Sequence, residues 1–235
     1  GIDFFFNKMH KGNNTTNIYS YNILDDVINT SLKLSTDLDD KMYCTFFTGC
    51  KYLIECNLDL ICLNCYRKDY ATKYIDYFST LKSLSFLRDY NKCDYKFLKV
   101  DIDEDDIDRE QEKMDQYKLL YPESAELIGV TNKFELAEDF VSVKYFRMIK
   151  ALYSYCNLHS HNNKAILNNG LYSADFNCLA IMVATIIIKC FKEAADICGR
   201  YKYLNIKEMN KWKSVLEEKY KDNLIMNKKG ASYSY

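Results

Sequence analysis

A chain of 235 residues with 48% hydrophobic and 28% charged residues carries enough apolar material for a sizeable core, which excludes bulk disorder. Its 32 basic and 33 acidic residues leave a net charge of -1, so no overall field draws it to nucleic acid or to an anionic membrane. Only 7 Gly and 1 Pro stand beside 21 Tyr and 13 Phe; turn-formers this scarce exclude a β-sandwich or barrel and suit long helices.

Residues 1–20, GIDFFF and then KGNNTTN, read as an irregular N-terminal arm, followed by a helical domain over 21–228 and a frayed tail over 229–235. From Asn22 onward Ile23, Leu24, Val27, Ile28 and Leu32 recur at helical spacing. A second apolar stretch runs from Met42 to Cys65. A third, from Lys68 to Tyr90, sets Tyr70, Tyr74, Phe78, Leu81 and Leu84 on one face. DYKFLKV at 94–100 fits more than one element, and an acidic run follows it at 101–112. That run is the only internal boundary, and it does not separate independent domains.

Pro122 opens PESAELIG at a position suited to a first helical turn. Thr131 or Asn132 is expected to cap one further helix carrying Phe140, Val141, Phe146, Ile149, Leu152 and Tyr153, which stops before HSHNNK. Ser173 precedes a long apolar segment that runs to Cys198 and is closed by Gly199. Within it, LAIMVATIII at 179–188 falls short of the roughly 20 residues a membrane span requires, leaving a buried helix or a buried strand. Asn205 with Glu208 resembles a capping box opening a helix with Ile206, Met209, Trp212, Leu216 and Tyr220 on one face. The expected fold is all-α, a single irregular bundle of about seven helices.

Three constellations invite chemistry. In DIDEDDIDREQE, Asp101, Asp103, Asp105 and Glu112 occupy positions 1, 3, 5 and 12 of a calcium loop, yet Asp106 stands where its glycine belongs and Asp108 where an apolar residue belongs. A solvated acidic helix start is the better account. Cys156, His159 and His161 give C-x-x-H-x-H, but a structural zinc site needs a fourth ligand, and the segment reads as a loop with two exposed histidines. Cys62 and Cys65 form a C-x-x-C without the strand–turn–helix setting of a redox pair. No nucleophile elbow, phosphate loop, dinucleotide fingerprint or zincin motif occurs, so the chain is expected not to be an enzyme and to need no cofactor, metal or small-molecule substrate.

The cysteines set the compartment. The first five are Cys44, Cys50, Cys56, Cys62 and Cys65; the second five are Cys93, Cys156, Cys178, Cys190 and Cys198. Along one straight helix, residues six apart are separated by about 9 Å of rise and point about 240° apart. A disulfide needs Cα atoms within roughly 7 Å, so neighbours cannot bridge. Either the segment breaks, at Gly49 or Asn57–Asp59, or several cysteines are unpaired. If oxidised, all ten are candidates for structural disulfides joining the first half to the second. The alternative is a buried set of free thiols in a reducing compartment. Sequons at Asn13, Asn14 and Asn29 permit secretion.

The tail EKYKDNLIMNKKGASYSY, through Glu218–Lys221 and Gly230–Ser234, resembles the end of the malaria-parasite interspersed-repeat (PIR) variant surface proteins. The resemblance implies a helical, disulfide-containing ectodomain with an adhesive or immune-facing role. The expectation is therefore a non-enzymatic, secreted or cell-surface protein binding a host or receptor protein, with no nucleic acid partner and no membrane span in this chain. The alternative is an intracellular regulator, viral and Bcl-2-like, with LAIMVATIII as its central helix and a groove for a partner's helix.

Overall fold

Every regular element among the described residues is helical, and no strand occurs among them. The structure is a computed structural model that describes residues 15–39, 43–92, 98, 103–120, 129–160, 176–199 and 205–219. Its helices are α1 (Thr15–Asp39), α2 (Tyr43–Tyr70), α3 (Tyr77–Asn91), α4 (Glu104–Leu120), α5 (Val130–Glu138), α6 (Val143–Ser160), α7 (Phe176–Ile197) and α8 (Ile206–Lys219). A π-helical turn, Ala71–Asp76, joins α2 to α3. Cys93, Asp101, Pro122, His161, DYKFLKV apart from Leu98, and the tail 229–235 lie outside the described residues.

The cysteine-rich helix α2 is the axis of the molecule. Leu53, Ile54, Cys56, Asn57, Leu58, Leu60, Ile61, Cys62 and Leu63 are all buried, and nine such positions within eleven wrap completely around a helix. α1, α5, α6 and α7 pack around it and share one core. α1 comes close because Gly49 has no side chain: a Cβ there would stand 2.7 Å from Leu34 Cδ2. The expected break at Gly49 or Asn57–Asp59 does not occur, since both lie inside continuous helix. The chain departs from helical geometry at Arg67 (φ 52, ψ -124), between the second and third stretches read from the sequence. Arg67 donates a guanidinium hydrogen bond to Ile197 O at 3.1 Å, covering the negative end of α7.

The π turn inserts extra residues per turn and rotates the apolar face. On α3 the buried positions are Tyr77, Thr80, Leu84 and Tyr90, while Leu81, expected on the inner face, is exposed. α3 pairs with α4 over a small separate cluster of Tyr77, Leu84 and Met114. The acidic run opens α4: Asp106 N–H donates to Asp103 Oδ1 at 3.0 Å, and Asp103 N–H to Asp106 Oδ2 at 3.2 Å, a reciprocal cap.

Further corrections concern boundaries. Thr15–Ser20, expected within the irregular arm, are helical, with Thr16 and Ser20 buried. The single helix expected after Thr131 is two, capped by Gly129 and Ser142, whose Oγ accepts from Tyr145 N–H at 3.3 Å. LAIMVATIII is helix throughout, with Thr185 Oγ donating back to Ile181 O at 2.8 Å, so the strand alternative falls. Gly199 (φ 59) ends α7 as expected. Asn205 caps α8 as expected, its Oδ1 accepting from Glu208 N–H at 3.1 Å, while its Nδ2 donates to Glu208 Oε2 at 2.7 Å in place of the backbone half of a capping box. No helix among the described residues is long and apolar enough to cross a membrane.

Candidate functional site

The six-residue cysteine spacing acquires its meaning from the enclosure of α2. Cys50 lies against Cys156 of α6, Cys56 faces towards Cys190 of α7, and Cys62 Sγ donates to Lys133 O of α5 at 3.7 Å. Three thiols about 240° apart thus serve three different helix interfaces. The expected cross-links do not form among the described residues: of Cys44, Cys50, Cys56, Cys62, Cys65, Cys156, Cys178, Cys190 and Cys198, no two stand at disulfide distance. Two pairs do bring first-half and second-half cysteines together, but as packed thiols. Burial, reinforced by Asp59, pushes the Cys62 thiol up to about 12, and burial does the same to Cys190. Cys65 is also raised, by burial and Glu193, so the C-x-x-C holds thiols and not reactive thiolates.

His159 is not on an exposed loop. It lies on the last turn of α6, buried, stacked on the Phe47 ring at 4.4 Å and beside Tyr155 at 4.4 Å. Burial lowers its pKa. Among the described residues no group of three or more His, Cys, Asp or Glu is placed to hold a metal ion.

The tyrosines act largely as struts. On α2, Glu55, Asn57 and Asp59 accept phenolic hydrogen bonds from Tyr153 (3.0 Å), Tyr145 (2.8 Å) and Tyr70 (2.6 Å). Tyr52 donates to Asp26 at 2.8 Å, and Tyr19 donates to Asp76. Burial first raises the pKa of Tyr70, Tyr145 and Tyr153, with Asp59, Cys190 and Glu55 respectively second, keeping each a donor. Glu193 of α7 is buried and held by Lys189 and by Asn64 Nδ2 at 2.7 Å.

The surface feature with convergent chemistry is a groove where α5 and α6 diverge from their turn, with a volume of about 690 Å³. Its floor is aromatic: Phe134 meets Phe146 edge-on at 5.9 Å and Tyr153 at 5.5 Å. Glu135 and Glu138 stand on the α5 wall. Lys150 on α6 and Lys51 on α2 stand opposite, their ammonium groups each 5.5 Å from the centre of a floor ring, Phe146 and Tyr153 respectively. None of these four charges has an ion-pair partner among the described residues.

Sequence reading missed this groove because it ran α5 and α6 together. The available signal was Ser142, a hydroxyl residue standing just before Val143-Lys144-Tyr145 at an N-cap position. No protein-family model matches the chain, and neither the curated proteins nor the solved structures give a match to it.

Proposed function

We propose that this chain is a non-enzymatic helical binding protein that takes a segment of a protein partner in the groove between α5 and α6. The observation that carries the reading is an aromatic floor between walls of opposite charge that form no ion pair among the described residues. The complementary occupant places an apolar side chain on Phe134 and Phe146, a basic residue towards Glu135 and Glu138, and an acidic one towards Lys51 and Lys150. About 690 Å³ holds a few side chains, within the usual range of binding clefts. A secreted or cell-surface, host-facing role rests on the resemblance of the tail. The free thiols withdraw the support that cross-links would have lent it.

A second reading, an intracellular regulator binding a partner's helix, is favoured by those same thiols. Its expected centre is displaced, because α2 and not LAIMVATIII forms the axis. A thiol count on unreduced protein separates the two compartments. For the groove, random peptides displayed on phage are panned against the full chain. Enriched sequences are expected to carry an apolar anchor between a base and an acid, and to lose binding when Glu138→Lys and Lys150→Glu are combined. Enrichment that ignores the double substitution would overturn the assignment.

A further inference from the structure

A second depression, of about 350 Å³, lies where α6, α7 and α8 meet, and it differs from the groove in carrying bases without acids. Ile188, Lys189 and Lys192 project from one face of α7, and Lys213 faces them from α8, one turn beyond Asn210. Phe140, half-exposed in the α5–α6 turn, supplies an apolar wall with Ile188.

The charges do not cancel. Lys189 is engaged by Glu193 and Lys213 by Glu217 at 3.4 Å, but neither glutamate lines the cavity. Lys192 has no ion-pair partner among the described residues. The five groups leave one net positive charge, and the three ammonium groups together hold more donors than two carboxylate contacts consume. On a chain whose overall charge is -1, this local excess is a property of the cavity and not of the whole surface.

We propose that this cavity binds a small organic anion, with its apolar body against Phe140 and Ile188 and its anionic head at Lys192, supported by Lys189 and Lys213. Lysine supplies point charges and not a planar fork, so a carboxylate and a phosphate monoester are read by the same chemistry. The volume sits at the lower end of ligand clefts, which suits a small molecule in preference to a polymer.

Calorimetric titration of the full chain with benzoate, phenyl phosphate, inorganic phosphate and benzyl alcohol tests this directly. At least one aromatic anion is expected to bind saturably in the millimolar range, with inorganic phosphate about tenfold weaker and benzyl alcohol not at all, because head and body each contribute. The stronger of the two aromatic anions identifies the head group. Lys192→Ala should weaken binding about fivefold to tenfold without moving the unfolding midpoint, since this lysine holds no ion-pair partner among the described residues. Lys189 is left intact because its loss would remove the ion-pair partner of buried Glu193 and leave it only Asn64. The combined Glu138→Lys and Lys150→Glu protein should bind the anion as before, which keeps this test separate from that of the α5–α6 groove. Absence of saturation by both aromatic anions, or an affinity unchanged in Lys192→Ala, overturns the proposal.

Discussion

Replacing Tyr145 by Phe removes one oxygen and leaves Asn57 Oδ1, at the axis of the bundle and 0% exposed, without the donor that now reaches it at 2.8 Å. A buried acceptor deprived of its partner costs about 1–3 kcal/mol, and enclosure on all sides places this one near 2 kcal/mol. Asn57→Leu errs the other way, stranding the Tyr145 hydroxyl and removing the donor to Cys190 Sγ at 3.4 Å, again for about 2 kcal/mol. When both are changed, neither polar group remains to be stranded. The double variant should therefore lose about 2 kcal/mol and not the sum of about 4. Urea unfolding followed by circular dichroism reads this directly: with a slope of about 3 kcal/mol per molar, each variant shifts the midpoint down by about 0.7 M. If the two losses add to within about 0.5 kcal/mol, the Tyr145–Asn57 contact does not exist as described.

Three further outcomes follow from the packing. Gly49→Ala gains about 1 kcal/mol of helix propensity but sets a methyl 2.7 Å from Leu34 Cδ2, and overpacking of about 1–3 kcal/mol makes the net change destabilising in thermal melts; a raised melting temperature would mean that Leu34 swings aside freely. Burial lowers the His159 pKa, so the unfolded chain takes up a proton near pH 6.5 that the folded chain refuses, and stability falls as pH drops below about 6.5. His159→Phe keeps the stack on Phe47 and should flatten the stability profile between about pH 7 and pH 5; an unchanged slope refutes the assignment. In native alkylation followed by peptide mapping, Cys44 should label first, while Cys50, Cys56, Cys62, Cys156 and Cys190 label only on unfolding. Recovery of any of those five in a disulfide would show that the bundle is cross-linked after all.

What the sequence made legible was local chemistry. The Asn205 cap, the terminator at Gly199, the acidic start of the helix at Glu104 and the boundary between Cys65 and Lys68 each depend on a few neighbouring residues, and each is found. Phase and hierarchy were not legible. Nothing in Ala71–Asp76 announces a π turn, yet that turn carries Leu81 from the inner face to the outer one. The central helix was hidden by its own polar residues: Glu55, Asn57 and Asp59 look like a solvated face until Tyr153, Tyr145 and Tyr70 arrive from other parts of the chain to satisfy them. The groove is more distant still, since its floor combines α5 with α6 and its basic wall borrows Lys51 from α2.

Arg67 has a mechanical consequence. A non-glycine residue at φ 52, ψ -124 costs about 1–3 kcal/mol, offset by its guanidinium contact to the last turn of α7 and by the residues just beyond it, where Tyr70 and Ala71 are buried in the main core and Tyr70 donates to Asp59. Beyond it hang α3 and α4, whose own cluster encloses three buried side chains, against the far larger shared core on the other side. Under a stretching load applied through the chain, elements in series carry the same tension, and the one with the smallest core yields first. The α3–α4 pair is the first length of chain to be released, while the bundle around α2 continues to bear the force.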